Sequence, residues 1–267
     1  MQMVGNSYKK NLVLGRGLVG SHLIALLEKN GEEVKALSHG DGHDLKTAEK
    51  YLDQFEWADR VWFVAWEIGV WKKENPAEYE IDILDANLEL CRSVFRILQK
   101  TKKPFLFTSS QAAPSSDMIP MGVAKRVGEM WTRLLGGHVA RFWNVYGWEP
   151  VGEKSHLIPD LVWKGMDGKI ELMTSGEEER QFLYVKDCVE ALVHQFEIGQ
   201  KHADVTSGEW VSVKEIAELI GKKLNAEVVL GFTPGRPPMY VPEVPLASWT
   251  PTYSLEKGIE EIIDLAK

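Results

Sequence analysis

The stretch Asn11-Leu12-Val13-Leu14-Gly15-Arg16-Gly17-Leu18-Val19-Gly20, continued by Ser21-His22-Leu23-Ile24-Ala25-Leu26-Leu27, decides how this chain folds. It opens as a short apolar run of strand character, closes with helical periodicity, and has glycines at the joint. In such a unit the glycines allow a tight turn, a close approach of backbone to a pyrophosphate, and close packing of helix on strand. The helix N-terminus meanwhile aims backbone amides at the anion. Gly31 ends the helix, and Glu33-Val34-Lys35-Ala36-Leu37 follows as a second strand. We expect a dinucleotide on Gly15, Arg16, Gly17, Leu18, Val19 and Gly20, against the alternative of an ordinary glycine turn.

The second strand runs into Ser38-His39, where an NAD-preferring fold usually carries an acid for the adenosine ribose. Arg16 inside the turn suits a 2′-phosphate, so the reading favours NADP over NAD. The alternative has Arg16 in solvent and Asp41 on the ribose. Asp44-Leu45 falls where a third, short strand would bring a carboxylate near adenine.

Outward from this unit, strand and helix signals alternate over 267 residues without a linker-like tract, low-complexity segment or repeat. The expected fold is α/β, a Rossmann-type doubly wound parallel sheet with a small interleaved C-terminal substrate-binding lobe. Residues 1–147 form the dinucleotide-binding domain, and 148–267 mainly the lobe, with 178–200 returning to the core. The net charge of −8 is spread along the chain, which argues against nucleic acid as a partner. Cys91 and Cys188 lack metal-ligand spacing and read as buried apolar residues. The polar first residues and the lack of a long apolar run point to a cytoplasmic protein without membrane attachment.

Two more strands, Arg60-Val61-Trp62-Phe63-Val64-Ala65-Trp66 and Lys103-Pro104-Phe105-Leu106-Phe107-Thr108-Ser109-Ser110, each end in polar residues. With them the chain resembles the extended short-chain dehydrogenase/reductases, in the NAD-dependent epimerase/dehydratase branch that modifies nucleotide sugars. The matching pieces are Gly15 to Gly20, Val64-Ala65, Asn87 opening a helix, Thr108 to Ser110, Lys125 with Glu129, Arg141 to Gly147, Arg180 to Asp187, and Trp249-Thr250-Pro251. They span nearly the whole chain in the family's order. Arg16 to Ser21, Pro114 and Ser155-His156-Leu157-Ile158-Pro159 are similar to features of the GDP-L-fucose synthase group.

The resemblance implies a hydroxyl, a tyrosine and a lysine acting together on a sugar hydroxyl while hydride moves to or from a nicotinamide. Ser110 fits the hydroxyl and Lys125 the lysine. The tyrosine position is Met121, whose thioether has no proton to exchange. Loss of general acid–base help costs roughly 10²–10⁴ in rate, which cripples turnover without forbidding it. Lys125, on a helix from Gly122 to about Leu135, shares a face with residue 121, and a plain salt bridge to Glu129 is the bland alternative. His156, Glu67 and Asp117 are the replacement acid–base candidates, each with an ordinary capping, surface or turn role beside it.

The resemblance also places Ala65, Trp66 and Thr108 beside the cofactor with Ser38, His39, Asp44 and Leu45. It places Asn144, Glu67, Arg180 and Arg236 on a nucleoside-diphosphate sugar, the two guanidiniums on its diphosphate. Trp148 and Trp66 are candidate stacking surfaces. A homodimer is expected through the helices Ile83 to Gln99 and Gly122 to Leu135. The leading function is an NAD(P)-dependent oxidoreductase or epimerase with an altered proton relay. The alternative is a catalytically silent protein that binds NAD(P) or a nucleotide sugar.

Overall fold

The computed structural model describes residues 9–68, 76–116, 119–150, 156–238 and 241–267. The first half runs β1 (Lys10–Leu14), α1 (Leu18–Lys29), β2 (Glu33–Leu37), α2 (Leu52–Trp57), β3 (Arg60–Phe63), α3 (Pro76–Thr101), β4 (Phe105–Ser110), α4 (Pro120–Leu134) and β5 (His138–Phe142). The second half adds β6 (Asn144–Tyr146), α5 (Leu157–Met166), β7 (Lys169–Glu171), β8 (Glu179–Arg180), β9 (Phe182–Tyr184) and α6 (Val185–Glu197). It closes with β10 (His202–Val205), β11 (Val211–Ser212), α7 (Val213–Leu224), β12 (Glu227–Val229) and α8 (Leu255–Ala266).

Six strands form one parallel sheet in the order β10-β5-β4-β3-β1-β2. A parallel sheet covered by helices on both faces needs continuous apolar strands, and Leu12-Val13-Leu14, Val61-Trp62-Phe63 and Phe105-Leu106-Phe107 supply them, all fully or almost fully buried. Alternation sends Val13, Trp62 and Leu106 into one core with α1 and α6. It sends Leu12, Leu14, Phe63 and Phe107 into the other, against α3. The second core is aromatic: Phe95 lies edge-on to Phe63 and Phe107 and stacks at 5.8 Å on Trp131. After residue 200 the chain continues into β10, which pairs with β5 at the edge of the main sheet. Three two-stranded pairs, β6 with β9, β7 with β12 and β8 with β11, lie beyond the sheet.

Two expectations change. Asp44-Leu45 is no strand: the Asp44 carboxylate accepts from the Lys46 amide and starts a 3-10 turn over Leu45–Tyr51, so the sheet ends at β2. Asn87 does not open a helix but sits inside α3, fully buried. Its side chain accepts from the Glu67 amide and donates to the Glu67 carbonyl, so it pins the loop after β3. α3 and α4 both begin before the expected Ile83 and Gly122. Asp117 lies outside the described residues. Cys91 and Cys188 are buried free thiols. No helix of the described residues is long and apolar enough to cross a membrane.

The position of α4 matters most for the site. Pro120 starts it, and Gly136, at φ 73°, ends it in a conformation that favours glycine. Gly122 and Gly128 lie on its buried face, where a Cβ would stand 2.4 Å from the Ala112 carbonyl oxygen and 2.4 Å from the Phe107 ring respectively. With no side chain at either position the helix lies directly on the Phe107 ring of β4 and on the turn that follows β4 at Ala112. Gly128→Val should therefore cost about 1–3 kcal/mol through overpacking. Chemical denaturation measures this, and an unchanged midpoint would contradict the contact.

Candidate active site

A cavity of about 1070 Å³ opens at the carboxyl ends of β1, β3, β4 and β5, the usual ligand position in an open α/β sheet. It is large beside the ~300–1,000 Å³ of an ordinary small-ligand pocket. The glycine turn forms one end. Gly15, at φ +104°, donates its amide to the Leu37 carbonyl, and a Cβ there would stand 2.7 Å from the Ala65 Cα. Gly20 packs so closely that a Cβ would meet the Gly15 oxygen at 2.0 Å. Gly17, the N-cap of α1, is different: nothing lies within 4 Å of where its Cβ would be. The first and third glycines are thus needed by the fold itself, and the second faces open space at the helix N-terminus. That division fits a pyrophosphate resting on the turn.

Leu18, Val19, Ser38, His39, Asp44 and Leu45 line the same end of the cavity. Arg16 is half exposed there, its Nη1 3.2–3.3 Å from both carboxylate oxygens of Asp41. The two residues that the sequence offered as alternatives for the ribose are therefore partners.

Ala65, Trp66, Glu67, Thr108, Ser110, Met121 and Lys125 line the middle. Ser110 ends β4, its Oγ accepting from the Ala112 amide at 3.2 Å. Thr108 is buried and donates to the Phe63 carbonyl. Lys125 is 5% exposed, and its Nζ donates to the Thr108 carbonyl at 2.6 Å with the Trp66 ring centroid 3.6 Å away. Burial lowers its pKa to about 7, the nearby Cys91 and Glu129 opposing the shift. The plain Lys125–Glu129 salt bridge is not formed. Glu129 instead takes a bidentate contact from Arg141, both distances 2.7 Å, and a 2.6 Å hydrogen bond from Ser109. Met121 lies one turn before Lys125 on the cavity wall. Tyr146 is the described tyrosine on that wall, but it donates to the Leu255 carbonyl, and burial pushes its pKa up.

At the far end stand Asn144, His156, Glu178 and Arg180. Asn144 donates to the Gln181 carbonyl and so ties β6 to β9. Arg180 donates to the Glu179 and Arg236 carbonyls. Arg236 is exposed, and its side chain is not brought to the described cavity wall; its carbonyl is what reaches Arg180. Trp148 is likewise absent from that wall. His156 is half exposed, with Nδ1 2.8 Å from Glu149. That hydrogen bond raises the His156 pKa, partly opposed by burial. Burial pushes the Glu149 carboxyl up, but the His156 contacts outweigh it and hold it low.

Sequence reasoning missed Glu149, and Asp160 and Lys164 of α5, which follow His156 around the helix onto the cavity wall. The helical spacing from His156 would have found the last two. Among the described residues no group of His, Cys, Asp or Glu could hold a metal ion.

The sequence profile of the NAD dependent epimerase/dehydratase family matches residues 12–206. GDP-L-fucose synthase 1 of Arabidopsis thaliana is 24% identical over 294 residues, covering 93% of this chain and 90% of that protein. An epimerase structure from Methanothermobacter thermautotrophicus superposes with a TM-score of 0.81 at 22% identity, covering 96% of this chain and 91% of that one. A GDP-D-glycero-L-gluco-heptose synthase from Campylobacter jejuni, solved in the presence of NADPH, gives 0.80 at 16% identity over 100% and 98% of the two chains.

Two outcomes follow from the geometry. Gly17→Val should leave the unfolding midpoint unchanged yet abolish NAD(P) binding by calorimetry, whereas Gly20→Val should lower the midpoint. Retained binding in the Gly17 variant would make the turn structural only. The second concerns Lys125. Between about pH 7 and the ordinary lysine value of 10.5, the unfolded chain holds a proton that the folded chain gives up, so stability rises with pH across that window. Lys125→Met should stabilise the ligand-free protein at pH 7 by up to about 4 kcal/mol, a gain that vanishes towards pH 10. A destabilised variant at pH 7 would contradict the buried, only partly compensated amine.

Proposed function

The chain belongs to the NAD-dependent epimerase/dehydratase family, and from that premise we propose a nicotinamide-dependent oxidoreductase or epimerase of a nucleoside-diphosphate sugar, with its proton carried by a group other than residue 121. The observation behind this reading is the continuity of the cavity. One wall runs from Gly15 to Gly20, past Ser110, Met121 and Lys125, to Asn144, His156 and Arg180. The name of the Arabidopsis relative supports a nucleotide sugar as the substrate class.

A bound nicotinamide dinucleotide would supply the hydride donor or acceptor. The chain's own residues do the rest. The α1 amides would hold the pyrophosphate, Ser38, His39, Asp44 and Leu45 would flank the adenosine, and Ala65, Trp66, Thr108 and Lys125 would flank the nicotinamide end. With no acid at the end of β2, NADP is favoured, Arg16 turning from Asp41 to the 2′-phosphate. Ser110 orients the reacting sugar hydroxyl with Glu67 and Asn144 beside it, and Arg180 grips the diphosphate, joined by Arg236 once substrate draws it in. In this reading residues 1–147 serve the cofactor and 148–267 mainly the sugar. Two copies pair through α3 and α4, whose outer faces leave Ile81, Met130 and Leu134 exposed.

Met121 is the one observation that favours a second reading, a silent binding protein. The two differ in how they respond to Met121→Tyr. A phenol one turn from Lys125 restores a relay to a silent protein, but in an enzyme with its own relay it fills space that the substrate uses.

Thermal shifts with NAD, NADP and a panel of GDP-, UDP- and dTDP-sugars test the proposal. A ligand at ~100 times its Kd stabilises by about 2.7 kcal/mol. We expect a shift with the cofactor and with at least one sugar nucleotide, the latter lost in Arg180→Ala while the cofactor shift stays. Cofactor shifts with no response to any sugar nucleotide would reject the substrate class.

A further inference from the structure

Met121 leaves the cavity without the proton carrier its position calls for, and the described phenol nearby does not fill the gap. The Tyr146 hydroxyl is committed to the Leu255 carbonyl and buried among Tyr184, Phe182 and Gly258. Glu67 is exposed, its backbone pinned to Asn87. The Nδ1 of His156 is engaged by the Glu149 carboxylate, and that hydrogen bond raises its pKa and favours the charged form.

Lys125 is different. Its amine is enclosed by β4, α3 and the loop after β3, yet the side chain lines the cavity. Among the described residues no carboxylate lies within ion-pair distance of Nζ. The groups facing it are the Thr108 carbonyl from β4, the Trp66 and Phe107 rings at 3.6 and 5.0 Å, the Cys91 thiol from α3, and Glu129 one turn along its own helix. The thiol is un-ionised, burial having pushed its pKa up to about 12. Glu129 is engaged by Arg141 and Ser109. Among the described residues an ammonium here has one full acceptor for its three N–H bonds and no carboxylate paired with it, which favours the neutral amine.

We propose that Lys125 is itself the general acid/base of this site, its amine exchanging the proton that a tyrosine would otherwise carry. The proposal rests on the oxidoreductase reading above. In the oxidising direction the sugar O–H bond breaks and its proton bonds to the Nζ lone pair, turning amine to ammonium. The electron pair of the adjacent C–H bond leaves with hydrogen as hydride, for which an oxidised nicotinamide is the two-electron acceptor. Reduction runs in reverse. A pKa lowered to about 7 puts Lys125 where both forms are populated, the condition under which general acid–base catalysis is most effective. The same buried environment that destabilises the ammonium thus makes the lysine a usable base.

The test is NMR of the full-length protein with 13C,15N-labelled lysine, titrated from about pH 5.5 to 10.5 with and without NADP. Lys125→Arg identifies the resonance. We expect one lysine to titrate near neutrality, far from the rest, and to disappear in the variant. A second arm measures turnover of the GDP-, UDP- and dTDP-sugar panel. Arginine keeps the positive charge but cannot release its proton, so Lys125→Arg should lose roughly 10²–10⁴-fold in kcat. His156→Gln should keep the acid limb of the pH–rate profile. A Lys125 that stays an ammonium to pH 10 while the wild type turns over sugars would overturn this assignment alone. So would a Lys125→Arg variant within tenfold of wild type, or an acid limb that vanishes with His156. A Lys125 that titrates as expected in a protein that turns over no sugar nucleotide would overturn the oxidoreductase reading, and the catalytic step with it.

Discussion

The structure depends on the direct contact of α4 with β4. Helices usually stand off a sheet by the length of their side chains, but Gly128 removes that spacing over β4 and Gly122, nearly two turns earlier, removes it over the turn after β4. Between them the helix carries Lys125 to within 2.6 Å of the Thr108 carbonyl. One helix of wide, small-residue face thereby fixes the depth of the amine and the height of Met121 on the cavity wall. It also fixes the reach of Glu129 to Arg141. A side chain at either glycine would lift all three together.

The charge around this contact is segregated. Glu129, Arg141 and Ser109 satisfy one another on the α4–β5 side, so Glu129 acts on the lysine only as a charge at a distance. The cost of burying Lys125 is thus only partly offset, as is common where function sets the requirement rather than stability. At the adenosine end the opposite holds, since Arg16 and Asp41 neutralise each other at a half-exposed surface, where such a pair contributes little and can be exchanged for a ligand contact.

Much of this was legible in the sequence because it is local. The glycine turn, the second strand at Glu33–Leu37 and the apolar runs of β3 and β4 follow from short-range patterns read in order, and the family resemblance picked out Ser110, Met121 and Lys125, which share one cavity wall. What was not legible depends on residues far apart in the chain or on side chains competing for partners. Asp44 looked like a strand residue until its carboxylate capped the Lys46 amide. Glu129 sits at salt-bridge spacing from Lys125 but is captured by Arg141 of the next strand. His156 gave no sign of Glu149, since neither residue lies inside a helix or strand whose period would pair them. Arg236 was read from its tripeptide, and only the fold shows that its carbonyl faces Arg180.

Hydride transfer to a sugar nucleotide is the central claim, and isotope transfer tests it most directly. The protein would be incubated with NADH or NADPH carrying deuterium at the transferable C4 position and with 4-keto derivatives of GDP-, UDP- and dTDP-sugars, the products being read by mass spectrometry. Our account requires deuterium at a sugar carbon in at least one product, at a rate that collapses when Lys125 is replaced by arginine. Tight cofactor binding with no deuterium in any sugar would contradict it and leave a silent binding protein.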